Sequence, residues 1–333
     1  MLRTIMISLL MVTLCAEYSA RRGQSAASDT LESVLWWFPE NTETIMVARG
    51  PFTILDSDTN EASDLKHVLE QRAYGILSVT HKGQFLKPLL GQTLLLSVEA
   101  SRKFRPPASL GSMKYEGCDV LVFGQGFAAV RSSFIKLLET QAKGIQKIAG
   151  HQVMIFEQRL EDNLWKVFIV SPKPDLVLCA TDQSYLTEVL NRMGSKASNR
   201  ALPENLPEWK QIDTTASFWA IRHYDRENAA KDTTSPVSGE QAAANVPDKQ
   251  AIGITFTYNP NVKNEARIKY LSANTEAVNL VKKYWDEGPD KLNANISQSV
   301  AGVVGIVINP ETPDVFPIFL LKLLAAFGHA IYM

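Results

Sequence analysis

Three small residues form the first pattern in this sequence that could bind a cofactor. Gly124, Gly126 and Ala129 match G-x-G-x-x-A between an apolar stretch and a run with helical spacing. In dinucleotide-binding folds such glycines let backbone amides approach a pyrophosphate at a helix N-terminus. That fingerprint also asks for an acidic residue roughly twenty positions later, at the end of the next strand. The next expected strand ends farther on, at Glu157. The pattern therefore predicts a tight strand-to-helix turn and no cofactor.

A second pattern is typical of enzymes that use a serine nucleophile. Ser133 and Lys136 form S-x-x-K, and Ser272 with Asn274 forms S-x-N. Penicillin-binding proteins and β-lactamases are exported and use both elements, the lysine helping to activate the serine. Their third element, K-T-G or K-S-G, does not follow Asn274, and Ser133 falls inside an expected helix. No catalytic residue is assigned from this pattern.

An acidic segment offers oxygen ligands at the spacing of a calcium loop. Asp56, Asp58 and Asn60 occupy alternate positions, as the first ligands of such a loop do. Glu61 stands where the loop needs glycine, and His67 stands where the bidentate glutamate belongs. A solvated acidic turn accounts for the same residues. Calcium binding stays open, and no metal site is assigned.

The histidines do not have the spacing of a zinc site, which pairs ligands a few residues apart. They are His67, His81, His151, His223 and His329. His223 has the most titratable surroundings, because Arg222, Tyr224 and Asp225 adjoin it at the end of an expected strand. The sequence favours a polar strand terminus at His223.

The N-terminus indicates export. Arg3 precedes an uncharged apolar run from Ile5 to Ala16, which is too short to span a bilayer. Residues 1–27 are therefore expected to be a signal peptide, cut after Ala27 or between Ala16 and Ala20. A lipid-anchored Cys15 is disfavoured because Leu14 stands where a small residue is needed. The mature protein is expected outside the cytoplasm, periplasmic or secreted.

Two cysteines remain after removal of the signal peptide. Cys118 and Cys179 each lie in a segment expected to be a strand. Disulfides form and persist in an oxidising compartment, so a Cys118–Cys179 disulfide is one hypothesis. Two separate buried thiols are the alternative.

Hydrophobic periodicity predicts an α+β fold with two related mixed lobes, whose largely antiparallel sheets are flanked by helices. The first lobe covers 28–205 and the second 206–333, with a mobile loop at 226–250 that contains no aromatic residue. In both lobes a hairpin, a capped helix and a further strand are expected, which suggests a duplication. The expected strands and helices are 29–37, 44–49, 93–100, 118–123, 127–142, 152–157, 165–171, 175–180, 182–193, 216–224, 251–258, 266–271, a helix from 274 to 288, and 300–308.

Two segments carry a resemblance to other proteins. Residues 36–51 read WWFPENTETIMVARGP, and residues 206–224 read LPEWKQIDTTASFWAIRHY. In both, the chain resembles exported bacterial proteins that are built of repeated α+β lobes. The resemblance implies the lobed fold and brings no catalytic motif and no functional residue.

Charge and the C-terminal segment limit the partners. The net charge of −1, from 34 basic and 35 acidic residues, gives no excess of positive charge to neutralise phosphates, so nucleic acid is not expected as a partner.

Residues 315–333 are strongly apolar and predict a C-terminal helix. We expect that helix to be buried on the sheet; contact with a membrane surface or a partner is the alternative.

These patterns favour an exported, non-enzymatic protein with a structural or interaction role and no cofactor. A protein partner or an envelope component would fit such a role. The alternative is an exported hydrolase whose active site has no recognisable motif.

Overall fold

The structure is a computed structural model that describes residues 30–50, 52, 65, 69, 93–104, 115–160, 163–195, 199–223, 251–260, 263–272, 279, 285, 295–298 and 302–308. The predicted signal peptide, the segment around Asp56, Asp58 and Asn60, the predicted loop at 226–250 and the predicted C-terminal helix lie outside these residues.

The described residues form an α+β fold that is mostly sheet, which confirms the predicted fold class. Twelve strands make one sheet in the order β11-β12-β10-β9-β8-β1-β2-β3-β7-β6-β5-β4. The strands are β1 Thr44–Arg49, β2 Leu94–Phe104, β3 Tyr115–Phe123, β4 Gly144–Ile148, β5 His151–Leu160, β6 Asn163–Lys173, β7 Leu176–Ala180, β8 Phe218–His223, β9 Ala251–Asn259, β10 Lys263–Ser272, β11 Asn295–Gln298 and β12 Val303–Ile308. The helices are α1 over 30–37, α2 Phe127–Gln141 and α3 Gln183–Met193.

All neighbouring strands in the sheet are antiparallel, and the sheet continues through both halves of the chain. β1 and β8 pair at its middle, with Met46 opposite Ala220. In the first half β1, β2 and β3 form a meander, α2 follows, and β7 returns beside β3. In the second half β8, β9 and β10 form a meander, a helical segment follows, and β12 returns beside β10. In the second half only Asn279 and Trp285 of that segment are described, and both are helical. The division into lobes at 205 and 206, and their duplication, stay predictions.

Alternating side chains build a core on each face of the sheet, as the period of two along a strand requires. On the first face, α2 inserts Phe127, Phe134 and Leu138 beside strand residues of both halves. On the second face, α1 and α3 cover the strands of the first half, and Tyr185 of α3 is fully buried there. The second face of the second half has no equivalent helix among the described residues.

The start of α2 explains the glycine pattern. Gly124 donates its N–H to the Thr93 carbonyl and accepts from the Phe127 N–H, so the chain turns tightly from β3 into the helix. A Cβ on Gly126 would lie 2.9 Å from Thr93 Cγ2. Close packing against the neighbouring strand therefore accounts for Gly126, as the predicted tight turn requires.

The structure corrects the disulfide hypothesis, because Cys118 and Cys179 are both free and buried. Cys118 lies opposite Ala180 and Cys179 opposite Asp119, so the two cysteines are one register step apart on adjacent strands. One step along a strand reverses the side-chain direction. Cys118 accordingly packs in the second-face core and Cys179 in the first-face core. The backbone between them would have to move before the two sulfurs could bond.

Candidate functional site

The second face of β9 and β10 is polar, whereas the second-face core of the first half is apolar. Ile254, Phe256 and Tyr258 of β9 are buried in the first-face core, and β10 contributes Ala266, Ile268 and Tyr270 to the same core. The residues between them must point to the other face. They are Thr255, Thr257 and Asn259 on β9, and Glu265, Arg267 and Lys269 on β10. An antiparallel sheet with one polar face is an ordinary arrangement where that face meets solvent.

Strand register sets the order of these side chains. Thr255 lies opposite Lys269, and Thr257 lies opposite Arg267. Directly paired residues on one face have Cβ atoms about 4.5–5.5 Å apart. Each hydroxyl therefore lies beside a cationic side chain, in two successive rows across the strands.

A loop forms the wall above these rows. The 3₁₀ turn Pro207–Lys210 leads into Gln211, Asp213 and Thr215. Asp213 accepts hydrogen bonds from the Thr215 N–H at 2.9 Å and from its hydroxyl at 2.6 Å. These bonds favour the ionised carboxyl and lower the pKa of Asp213. The loop therefore keeps a fixed shape over the strands.

Together the strands and the loop enclose what we call the polar groove, which is lined by Gln211, Asp213, Thr215, Thr255, Thr257, Asn259, Glu265, Arg267 and Lys269. Its volume is about 340 Å³, within the range of small-molecule sites. Every one of these residues has a polar side chain. The groove can therefore supply hydrogen bonds and charge to a ligand, and the aliphatic parts of these side chains supply apolar surface as well.

The two cations of the groove differ in their surroundings. Arg267 lies 3.4 Å from the Glu265 carboxylate on its own strand. Lys269 donates a hydrogen bond to the Gln211 amide oxygen at 3.4 Å and contacts no carboxylate among the described residues. Partial burial lowers the pKa of Lys269, and the nearby charge of Arg267 lowers it further.

A carboxylate–imidazole pair lies beside the groove. His223 Nδ1 is 2.7 Å from Glu208 Oε1, and the Glu208 side chain is fully buried. The carboxyl group fits there only because residue 253, opposite His223 in the sheet, is glycine. The second oxygen of Glu208 has no hydrogen-bond partner among the described residues. The prediction of a polar strand terminus at His223 overlooked this buried partner on a distant segment.

The other residues singled out in the sequence do not come together. Ser133 and Lys136 lie on the exposed side of α2, while Ser272 ends β10. His151 begins β5 in the first half. No group of three or more His, Cys, Asp or Glu residues within the described ranges could hold a metal ion. None of the described helices is long and apolar enough to cross a membrane.

A second cleft, on the first face, is much smaller than the groove. Glu99 of β2 lies opposite Asp119 of β3 at its base, and Phe218 and Phe256 line it. The cleft holds about 30 Å³, enough for little more than a water molecule. It cannot admit an organic ligand without rearrangement.

Comparison with known proteins shows little similarity. No family model matches the chain, and no curated protein matches it. One solved structure, titled as crystal form I of TP0453, aligns with 87% of this chain and 96% of its own at 11% identity and a TM-score of 0.40. A likeness of that strength supports neither a fold family nor a function.

Proposed function

We propose that this chain is an exported, non-enzymatic binding protein that holds a small polar ligand in the polar groove. The observation that carries the proposal is the contrast between the two halves of the second face. In the first half α1 and α3 pack on an apolar surface, whereas in the second half the strands and the 211–215 loop surround a groove of about 340 Å³.

The chemistry of the lining supports a ligand-binding role. Thr255 and Thr257 carry hydroxyls, and Gln211 and Asn259 carry amides, all in the groove wall or floor. Such groups stabilise a bound solute when they replace the hydrogen bonds it made with water. Strands and a hydrogen-bonded loop hold them in place, which limits the ordering cost of binding.

A thermal-shift screen tests the proposal with glucose, glucuronate, glycine, succinate and inorganic phosphate as probes. A ligand that binds only the folded state stabilises it, by about 2.7 kcal/mol at a hundredfold excess over Kd. We expect at least one probe to raise the melting temperature. Thr257→Val keeps the shape and strand preference of the side chain but removes the hydroxyl, so it should reduce that shift.

Thr140→Val on the exposed side of α2 is the control and should leave the shift unchanged. A screen in which no probe stabilises the wild type would contradict the proposal. An unchanged shift in Thr257→Val would show that binding occurs elsewhere.

Export belongs to the same proposal and rests on the apolar run from Ile5 to Ala16. N-terminal sequencing of the protein from its native cell should find a new terminus at or before residue 28. Cytoplasmic protein that retains Met1 would argue against it.

A hydrolase is the second candidate, and the Glu208–His223 pair favours it. A buried carboxylate hydrogen-bonded to an imidazole is how hydrolases orient a general base. In this candidate Glu208 orients His223 as the general base, and a serine is the nucleophile. A fluorophosphonate probe should label a serine in the wild type, and His223→Ala should abolish labelling. A folded wild type that is not labelled would count against this candidate.

A further inference from the structure

Lys269 is a cation of the polar groove that has no opposite charge in contact with it among the described residues. Its ammonium donates to the neutral Gln211 amide and contacts no carboxylate among the described residues. Its charged neighbour on the strand is another cation, Arg267. A partly buried ammonium beside a guanidinium is electrostatically unfavourable, and an anion between them would relieve the repulsion.

Lys269 lines the polar groove, so an anion in the groove can approach it. Gly305 of β12 lies directly opposite Lys269, and the Ser297 hydroxyl of β11 partly occupies the space there, because a Cβ on Gly305 would lie 2.8 Å from it. On the other side stands Thr255 of β9, and Gln211 has an amide NH₂ left after its oxygen accepts from Lys269. Thr255 is buried, so a ligand carboxylate would accept from the Lys269 ammonium and the Gln211 amide, and a charge-assisted hydrogen bond such as the first is the stronger kind.

The rest of the groove suits hydroxyl groups. Beyond Arg267 the floor ends in Asn259 and Glu265, and Asp213 and Thr215 form the wall. Carboxylates and amide oxygens accept from ligand hydroxyls, while the amide and threonine groups donate to them. The two ends of the groove thus differ: the Lys269 end is cationic, and the Glu265 end is rich in acceptors.

From this arrangement, and resting on the proposed function of the groove, we infer that the ligand is a small hydroxylated carboxylate of the sugar-acid class. Its carboxylate binds between Lys269 and Arg267, and its hydroxyls lie along Thr257, Asn259 and Glu265. The groove volume of about 340 Å³ is large enough for a monosaccharide acid.

Isothermal titration with a matched pair of probes tests the inference. Glucuronate and glucose share the same ring and differ in the carboxylate. We expect the wild type to bind glucuronate at least tenfold more tightly than glucose. Lys269→Gln should weaken glucuronate binding about tenfold and leave glucose binding unchanged, because only the ion pair is lost. Lys210→Gln removes the same charge from an exposed site on the adjacent turn and should change neither affinity.

The results of these titrations distinguish the sugar-acid inference from the proposed binding function of the groove. Equal binding of glucose and glucuronate, with no effect of Lys269→Gln, would overturn the inference and leave the binding function intact. Failure to bind either sugar would also overturn it, and a stabilising hit among the other thermal-shift probes would still support the binding function. Loss of both affinities in Lys269→Gln would show a structural role for the lysine and overturn its assignment to the carboxylate.

Discussion

At the scale of single residues, Lys269 has the most informative electrostatic environment in the groove. Burial and the neighbouring Arg267 lower its pKa, and no described carboxylate opposes the shift. Because the folded-state pKa lies below the unfolded value, the folded state binds fewer protons between these two values. The destabilising contribution of Lys269 is thus full below the folded pKa and is lost as pH rises from the folded value to the unfolded value.

Two results follow from this shift. Lysine NMR should give Lys269 a pKa below 10.5, and saturating glucuronate should raise it, because a bound anion favours the charged form. Lys269→Gln should slightly increase the free energy of unfolding at pH 7 in the absence of ligand. A pKa at or above the ordinary lysine value in the free protein would contradict this electrostatic account.

Gly253 is a residue whose identity the Glu208–His223 pair requires. A Cβ at this position would lie 2.7 Å from Glu208 Cγ and closer still to its carboxyl group. We expect Gly253→Ala to lower the free energy of unfolding by about 1–3 kcal/mol, as overpacking does. Denaturant unfolding measures the change.

Two further variants make the result specific. Gly144→Ala adds a Cβ where no atom lies within 4 Å and should change stability by less than about 0.5 kcal/mol. In a Glu208→Ala background, Gly253→Ala should cost less than in the wild type, since the overlapping side chain is gone. An undiminished cost in that background would place the clash elsewhere.

At the scale of elements, the hairpin between β4 and β5 shows local strain that can be removed. Ala149 and Gly150 form its two-residue turn with φ of 46° and 85°. Left-handed backbone is unfavourable for alanine and tolerated by asparagine, and Asn-Gly is a preferred sequence for such turns. Ala149→Asn should therefore raise the free energy of unfolding by about 0.5–1 kcal/mol.

The same substitution in a helix gives the opposite expectation. Ala129→Asn on the exposed side of α2 should lower stability by about 0.5 kcal/mol, because asparagine is the poorer helix former. Thermal denaturation of both variants checks the pair. Equal effects of the two substitutions would mean that the turn is not strained.

The same hairpin shows where prediction from the sequence ends. The sequence predicts β3 and β7 close to their observed bounds, because both strands are continuous apolar runs. It also predicts α3 closely, because Asp182 is a clear N-cap. β4 is not predicted, because Gly144 follows the helix expected over 127–142, where a glycine is typical of a helix end, and Lys147 interrupts the apolar pattern. β11 was missed too, since four residues carry too little periodicity to indicate a strand.

Long-range pairing explains why the candidate site was not predicted. The sequence does show two strands in which polar and apolar residues alternate. Thr255 and Thr257 are polar positions of one, and Arg267 and Lys269 are polar positions of the other. Their rows across the sheet depend on strand register, and the wall depends on where the 211–215 loop lies. The Glu208–His223 pair is likewise a tertiary contact. The disulfide hypothesis was wrong for the same kind of reason, because register alone separates the two cysteines onto opposite faces.

At the scale of the whole molecule, the sheet and the first-face core cross the middle of the chain without a break. Leu121 and Phe123 of the first half and Phe218, Phe256 and Ile268 of the second belong to one buried cluster. We therefore expect a single unfolding transition in calorimetry, with equal calorimetric and van't Hoff enthalpies. Two separate transitions would instead support independently stable lobes.

The central claim is that the polar groove is where this protein binds its ligand, and amide NMR during a glucuronate titration tests it most directly. We expect the largest shift changes at Gln211, Thr255, Thr257 and Lys269, with saturation at a single dissociation constant. Saturable changes confined to other residues, such as those around Glu99 and Asp119, would contradict the claim.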